Sequence, residues 1–313
     1  MAGGMIDLHT HTTASDGTDT PEQLVRRAVE SGINTLAITD HDTLDGVDSA
    51  LQSAAQAGLH LIRGIELSTR VGAESDPARR NAHLLAYFFS DPGPEFRFWL
   101  LSLRKQRRER NGSIAERLQQ LGLDVRLEEA EALGRNITAR PHFASVMIRK
   151  GYVSSVREAF DVYLGETGRA YIEREDPPIE DAIERARAAG GVTSLAHPIR
   201  LNQTDPLREA DLISGWARAG LDAIEVWHPD HGEAEEARYG RIADSCGLAR
   251  TGGSDFHGEH TPGVLPGVGR GRLRVPPSIL HDLDRIAAGR TQSGGIARLQ
   301  AQVSQGADGV AGG

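Results

Sequence analysis

The chain has 313 residues, 39% of them hydrophobic and 25% charged, with a formal charge of −9, figures that suit a globular enzyme with one sizeable core. The acidic balance argues against wholesale nucleic-acid binding, duplex DNA included, through a basic surface, and leaves room for a local phosphate site. Cys246 is the only cysteine, which rules out a disulfide framework and a thiolate metal site and reads as a small buried apolar residue.

No apolar run reaches the ~20 residues of a membrane span, and no charged-then-apolar leader precedes Met5, so no membrane contact is expected and the location reads as cytoplasmic. "MIDL" predicts a first strand. It runs into "HTHTTASDG", where His9 and His11 lie two residues apart. On an extended chain that spacing puts both imidazoles on one face, within reach of one ion, although His-x-His alone is a weak signal. Thr20 as cap and Pro21 in the first helical position open a helix that runs to Ser31, with Gly32 as its stop. "INTLAIT" is a buried strand, a helix follows near Gly46–Ala57 with Gly58 closing it, and "LHLIRGIEL" is the third strand. Between "GIELS" and "NAHLLAYFF", the segment "TRVGAESDPARR" carries turn residues and no helical period. It predicts an antiparallel hairpin, since a parallel return needs a helix-length crossover. The hairpin would put Glu66 and His83 on neighbouring strands at the same end.

Residues 90–178 break this rhythm. Phe96, Leu100, Leu103, Ile114, Leu118 and Leu121 fit one long amphipathic helix, and shorter helices follow, one near "SVREAFDVYLG". The arginine-rich run "RKQRRER" (104–110) reads as a solvated helix face, with an RNA-backbone contact as the lesser alternative. After Pro178 the βα rhythm returns: helix "IEDAIERARAAGG", strand "VTSLA", a helix, strand "LDAIEVW", a helix and strand "LART". Repeated βα units imply a mostly parallel α/β sheet or barrel. The expected organisation is a discontinuous barrel (1–89 and 179–289), a helical insert that selects substrate (90–178) and a flexible Gly-, Ala- and Gln-rich tail (290–313).

His41 ends the second strand and His197 the fifth, Glu66 and His83 lie in the hairpin, and Asp255 and His257 follow the last strand. With His9, His11 and Asp16 they make six histidines and three carboxylates, nearly all at strand C-termini, where α/β folds carry their sites. His60, His260 and His281 read as ordinary surface or core histidines. Imidazoles and carboxylates without thiolates suit Mn²⁺, Fe²⁺ or Zn²⁺. Asp40 is expected to orient ligands from behind, with an Asx turn as its plainer role.

The motifs "DLHTHTTASDG", "ITDHDT", "GIELS", "HLLAYF", "LAHP" and "GSDFH" resemble the PHP (polymerase and histidinol phosphatase) family of metal-dependent phosphoesterases, in order and spacing, from Met5 to about His260. The resemblance implies a distorted seven-stranded βα barrel with two to three divalent ions, Mn²⁺ first among the candidates. By motif, His9, His11, Glu66 and Asp255 would hold one ion. Glu66 would bridge to a second, shared with His83 and His197. Asp16, His41 and His257 would hold a third. A hydroxide generated between two such ions can attack phosphorus in line, so no nucleophilic side chain is needed; Glu66 and Asp255 are therefore the expected catalytic carboxylates.

"ITARPHFASVMIRKGYVSSVREAFDVYLG" and "AHPIRL" resemble the branch acting on nucleoside 3′,5′-bisphosphates and on short RNA 5′ ends. Arg140, His142 and Arg200 are then candidates for phosphate binding. In "EVWHPDH", His228 and His231 follow a strand at the same end; both can touch substrate, and His231 can protonate a leaving group. The expected reaction is removal of phosphate from a nucleoside 3′,5′-bisphosphate. Alternatives are 5′-to-3′ exoribonuclease action on short RNA, a histidinol-phosphate type of phosphatase, and a non-catalytic metal-binding domain.

Overall fold

The computed structural model describes residues 4–72, 80–134, 137–173 and 175–290. The turn of the expected hairpin (73–79) and all but the first residue of the expected tail lie outside the described residues. Seven strands, β1 (Met5–Asp7), β2 (Ile33–Ile38), β3 (His60–Val71), β4 (Arg80–Phe88), β5 (Val192–Leu195), β6 (Ala223–Trp227) and β7 (Ala249–Gly252), lie side by side in chain order. β1–β2–β3 and β5–β6–β7 pair in parallel, whereas β4 runs antiparallel to both of its neighbours. The expected hairpin is present, with strands longer than the sequence suggested: β3 reaches Val71 and β4 begins at Arg80.

The edge strands β1 and β7 meet just past their ends. Leu8 N–H donates to Gly252 O (3.3 Å), Asp255 N–H to His9 O (2.8 Å) and His11 N–H to Phe256 O (2.9 Å). This is the distorted seven-stranded α/β barrel, joined through segments that follow the strands. Gly253 is required at the join, because a Cβ there would overlap the backbone nitrogen of His9.

Helices cover the outer face, each built as its sequence dictates. α1 (Pro21–Glu30) carries a capping box between Thr20 and Gln23. α2 (Asp45–Ala57) ends on Gly58 in the left-handed conformation. α3 (Gly93–Gln120), α4 (Leu127–Gly134), α5 (Arg140–Arg149) and α6 (Val156–Ala159, continuing as a wider turn over Phe160–Leu164) form the segment between β4 and β5. α7 (Ile179–Ala188), α8 (Pro206–Ala219) and α9 (Glu233–Cys246) alternate with the later strands.

Period two sorts the strands onto two faces. Leu36, Ile38, Ile65, Leu67, Leu84, Ala86, Ile224 and Val226 join the helices in one core. Ile62, Leu85, Tyr87, Val192 and Ala223 face the other way, against Ile279 and Leu283 of a helix over 279–290. A third core lies wholly between residues 114 and 170, around Phe143, Met147 and Leu164. α3 links two of them: Phe96 and Leu100 pack on the outer barrel core, while Ile114 and Leu118 belong to the third. Cys246 departs from expectation, being only partly buried against the outer core, because it sits at the last turn of α9.

Candidate metal centre

The extended course of β1 continues through the histidines. Thr39 N–H donates to Thr10 O (2.8 Å) on one side, and the bonds to 252–256 hold the other. His9 and His11 therefore share the face that also carries Glu66 of β3, His83 of β4 and Glu225 of β6. His83 stands near the start of β4, which the reversed strand places at the same end as the C-termini of its parallel neighbours. His197 and Asp255 follow β5 and β7 with φ of +24° and +51°. Such left-handed conformations are unfavourable for residues other than glycine and concentrate at functional sites.

These residues converge on Glu66. Its Oε2 lies 3.3 Å from His9 Nε2 and 3.1 Å from His11 Nε2, and Asp255 Oδ1 lies 3.3 and 3.4 Å from the same two nitrogens. The other oxygen, Oε1, is 2.8 Å from His83 Nδ1 and 2.9 Å from His197 Nε2. Further out, Asp16 Oδ1 is 3.3 Å from His257 Nε2, and Asp16 Oδ2 is 3.6 Å from His41 Nε2. The structure thus brings all nine sequence-identified residues together. Two are shared more widely than expected: His11 also stands with Asp16, His41 and His257, and His41 also with Glu66 and His83, while His197 meets Glu66 directly. His41 reaches both sets, because its Nδ1 is 3.3 Å from Glu66 Oε2.

The donor set fits divalent ions. His9 Nε2 and both nitrogens of His11 are buried without a hydrogen-bond partner, as is His41 Nδ1; buried polar atoms are normally paired. Burial alone would push the imidazoles down, but the carboxylates around them prevail for His9, which is raised well above its ordinary value, and for His11, pushed up to about 10. His41 and His197 are instead lowered to about 4, burial being the dominant cause. Glu66 and Asp255 are held well below the carboxylate range against the cost of burial, Glu66 chiefly by His41 and His83, Asp255 chiefly by His9. A cation bound among these carboxylates would take the place of the protons that His9 and His11 hold.

Buried carboxylates support the set from behind. Glu225 Oε1 accepts from His9 Nδ1 (3.0 Å) and its Oε2 accepts from His197 N–H (2.6 Å). Asp7 accepts from the backbone N–H groups of His9, Ser254 and Gly267. Sequence reasoning passed over both; the signal was a carboxylate inside an apolar strand, in "MIDL" and "AIEVW". Asp40 works differently from expectation. It accepts from Thr12 N–H, Thr12 Oγ1 and Ser15 Oγ, so it fixes the loop between His11 and Asp16 rather than an imidazole.

Among the substrate candidates, Arg200 and His228 lie against the cluster. Arg200 Nη1 is 2.9 Å from Asp255 Oδ2, and its other nitrogens pair with Asp230. His228 Nδ1 accepts from Asp230 N–H, which leaves Nε2 to donate to Asp255 Oδ2 (3.3 Å). His231 Nδ1 donates to Val226 O (2.9 Å), leaving a buried, unpartnered Nε2. In that tautomer Nε2 carries no proton while the ring is neutral, and burial lowers its pKa; proton donation from it would need a protonation that burial opposes. His142 caps α5, its Nδ1 accepting from Ala139 N–H (2.9 Å), and burial lowers its pKa. Arg140 donates to Leu164 O (3.1 Å) and lies 5.6 Å from the ring centres of Phe160 and Tyr171. The 104–110 run is a solvated face only in part. Lys105 and Arg108 are exposed, but Arg104 pairs with Asp45, Arg107 with Asp42, and Arg110 with the carbonyls of Ile172 and Glu173.

A family model described as the PHP domain matches residues 7–188. The chain is 36% identical over 253 residues to a Haemophilus influenzae protein named 5′-3′ exoribonuclease, covering 80% of this chain and 89% of the relative. It is 33% identical over 274 residues to the phosphoribosyl 1,2-cyclic phosphate 1,2-diphosphodiesterase of Eggerthella lenta, covering 86% and 98%. It is 32% identical over 254 residues to the 3′,5′-nucleoside bisphosphate phosphatase of Chromobacterium violaceum, covering 80% and 87%. A solved structure from Bifidobacterium adolescentis, provisionally described as a metal-dependent phosphoesterase, matches with a TM-score of 0.71 at 29% identity, covering 90% of this chain and 96% of that one.

Proposed function

The chain belongs to the PHP family and is a metal-dependent phosphoesterase, and on that premise we propose that it hydrolyses a nucleoside 3′,5′-bisphosphate to the nucleoside 5′-monophosphate, with Mn²⁺ as its metal. The observation that carries the reading is the double-faced Glu66, whose Oε1 meets His83 and His197 while its Oε2 meets His9, His11 and His41. His9, His11, Glu66 and Asp255 would hold one ion, Glu66, His83 and His197 a second, and Asp16, His41 and His257 a third. Bound there, divalent ions would polarise the phosphoryl group and lower the pKa of a water.

The chain's own residues supply the rest. Arg200, already beside Asp255, would hold oxygens of the reacting phosphate with its planar fork. His228, with its donor fixed by Asp230, would orient Asp255. Glu225 would fix the tautomer of His9. Residues 90–178 would select the substrate, with Arg140 and His142 at the start of α5 taking the second phosphate. The alternative of 5′-3′ exoribonuclease action on short RNA is favoured by the Haemophilus relative, and the same site would serve it.

Hydrolysis of 3′,5′-bisphosphates (read as phosphate release), of short 5′-phosphorylated RNAs (read as release of nucleoside 5′-monophosphate) and of a 1,2-cyclic ribosyl phosphate (read as ring opening), each with Mn²⁺, tests the reading. The bisphosphate should give the highest kcat/KM, chelation should abolish activity and Mn²⁺ should restore it. Turnover that survives complete chelation, or a clear preference for another substrate, would displace it.

A further inference from the structure

Three aspartates at the entrance to α2 face three arginines of α3: Asp42 meets Arg107, Asp45 meets Arg104 and Asp48 meets Arg97. The Arg97–Asp48 and Arg104–Asp45 contacts (2.7 and 2.8 Å) are solvent-accessible, and ion pairs of that kind contribute little. The third is different. The Asp42 side chain is 2% exposed and that of Arg107 18%, so Arg107 is the counter-charge of a buried carboxylate, and removing one partner of such a pair is costly.

Asp42 has φ of +52°, and its turn is held at every point. Its N–H donates to Glu66 O (3.0 Å), its Oδ1 accepts from Ser68 N–H (2.8 Å), and its Oδ2 accepts from Ser68 Oγ (2.9 Å) and from Arg107. On the other side of residue 41, Glu66 N–H donates to Asp40 O (3.2 Å). His41 is therefore gripped beside Glu66, and this places its two nitrogens between Glu66 and Asp16. A side chain of the insert completes the grip from outside the barrel.

We propose that Arg107 is a positioning residue: by holding the Asp42 turn it sets His41 between Glu66 and Asp16, so that the insert governs the outermost metal position. The inference rests on the metal-centre reading above. Its test is Mn²⁺ titration of the metal-stripped full-length chain by calorimetry, with kcat and KM followed as Mn²⁺ is raised. Wild type, Arg107→Met, Arg107→Lys and Arg108→Met are compared; Arg108 pairs with Glu131 on the exposed face of α3.

Arg107→Met should weaken the last-bound equivalent by on the order of tenfold, as loss of a group behind a ligand typically does. Its kcat should recover with excess Mn²⁺ while KM for the ester hardly moves. Arg107→Lys should fall between, because it keeps a positive charge for Asp42 but not the reach and planar geometry of the guanidinium that faces it. Arg108→Met should match wild type. Wild-type Mn²⁺ binding in both folded Arg107 variants overturns the inference, even if their melting temperatures drop, since that pattern is structural support alone. If Arg107→Met does not fold, Arg107→Lys decides by the same criterion. An equal loss in Arg108→Met would assign the effect to helix charge and also overturn it. A wild-type chain that takes up no Mn²⁺ brings down the metal-centre reading itself, a result distinct from all of these.

Discussion

Glu225 accepts a hydrogen bond from His9 Nδ1 at 3.0 Å, with both side chains fully buried, and so fixes Nε2 as the nitrogen turned toward Glu66 and Asp255. Its second oxygen holds the backbone N–H of His197. Glu225→Gln cannot serve both, because its amide nitrogen would face a donor. Mn²⁺ affinity should fall about 10- to 100-fold, read by calorimetry on a variant shown to be folded by circular dichroism. Unchanged affinity would remove Glu225 from the support of the centre.

Glu66→Gln should do more damage than loss of any one outer histidine. One carboxylate oxygen meets His83 and His197, the other His9 and His11, so a neutral amide weakens two positions together. The expected result is loss of most bound metal and a kcat lower than that of His83→Ala or His257→Ala. A Glu66→Gln enzyme with full metal content and near-normal turnover would end its bridging role.

Much of this was legible in the sequence because the barrel is built from local rules. Thr20-Pro21 starts α1, Gly58 stops α2, and the helix-free stretch after "GIELS" required the β3–β4 reversal. The candidate residues could be gathered because most of them sit in or just after an apolar run, at the end of the sheet where the strands converge. Other features lay beyond that logic. Asp42, His197 and Asp255 adopt left-handed backbones that nothing in their neighbours dictates. Asp42 finds its counter-charge in Arg107, 65 residues away, and a charge pattern on one helix does not reveal its partner. The helix over 279–290, which closes one core with Ile279 and Leu283, escaped notice because it follows a long irregular stretch.

The acid–base state of the metal-stripped centre has a definite sign. His11, pushed up to about 10, and His9, raised in the same direction, stand above the unfolded value of about 6.5. Their contribution to stability is then fully present below about pH 6.5 and lost as pH climbs through the folded value. The melting temperature of stripped protein should fall from neutral pH toward pH 10, and less so when Mn²⁺ is bound. Mn²⁺ uptake at neutral pH should release protons, measurable by calorimetry in buffers of different ionisation enthalpy. Uptake without proton release would show that these imidazoles are already neutral.

Arg140 offers a test of substrate selection. A charge-assisted hydrogen bond to a second phosphate is worth roughly 1.5–3 kcal/mol, or on the order of 10- to 150-fold. Arg140→Ala should lower kcat/KM for a 3′,5′-bisphosphate by that factor and spare p-nitrophenyl phosphate, which has no second phosphate. Because Arg140 also reaches Leu164 O and the rings of Phe160 and Tyr171, the melting temperature must be followed alongside. Equal losses on both substrates would assign it to the fold or to the reacting phosphate.

The join between the segments after β1 and β7 bears on how the protein is made. His9 and His11 leave the ribosome early, while Asp255, His257 and the Phe256 backbone that holds His11 arrive some 240 residues later. Synthesis proceeds from the N-terminus, and early segments can begin to fold before later ones exist. A nascent chain that already displays "HTHTTASD", Glu66 and His83 still lacks the carboxylate that completes the innermost set, and the clasp that keeps the histidine strand in place. The innermost set is therefore complete only once Asp255 has been made.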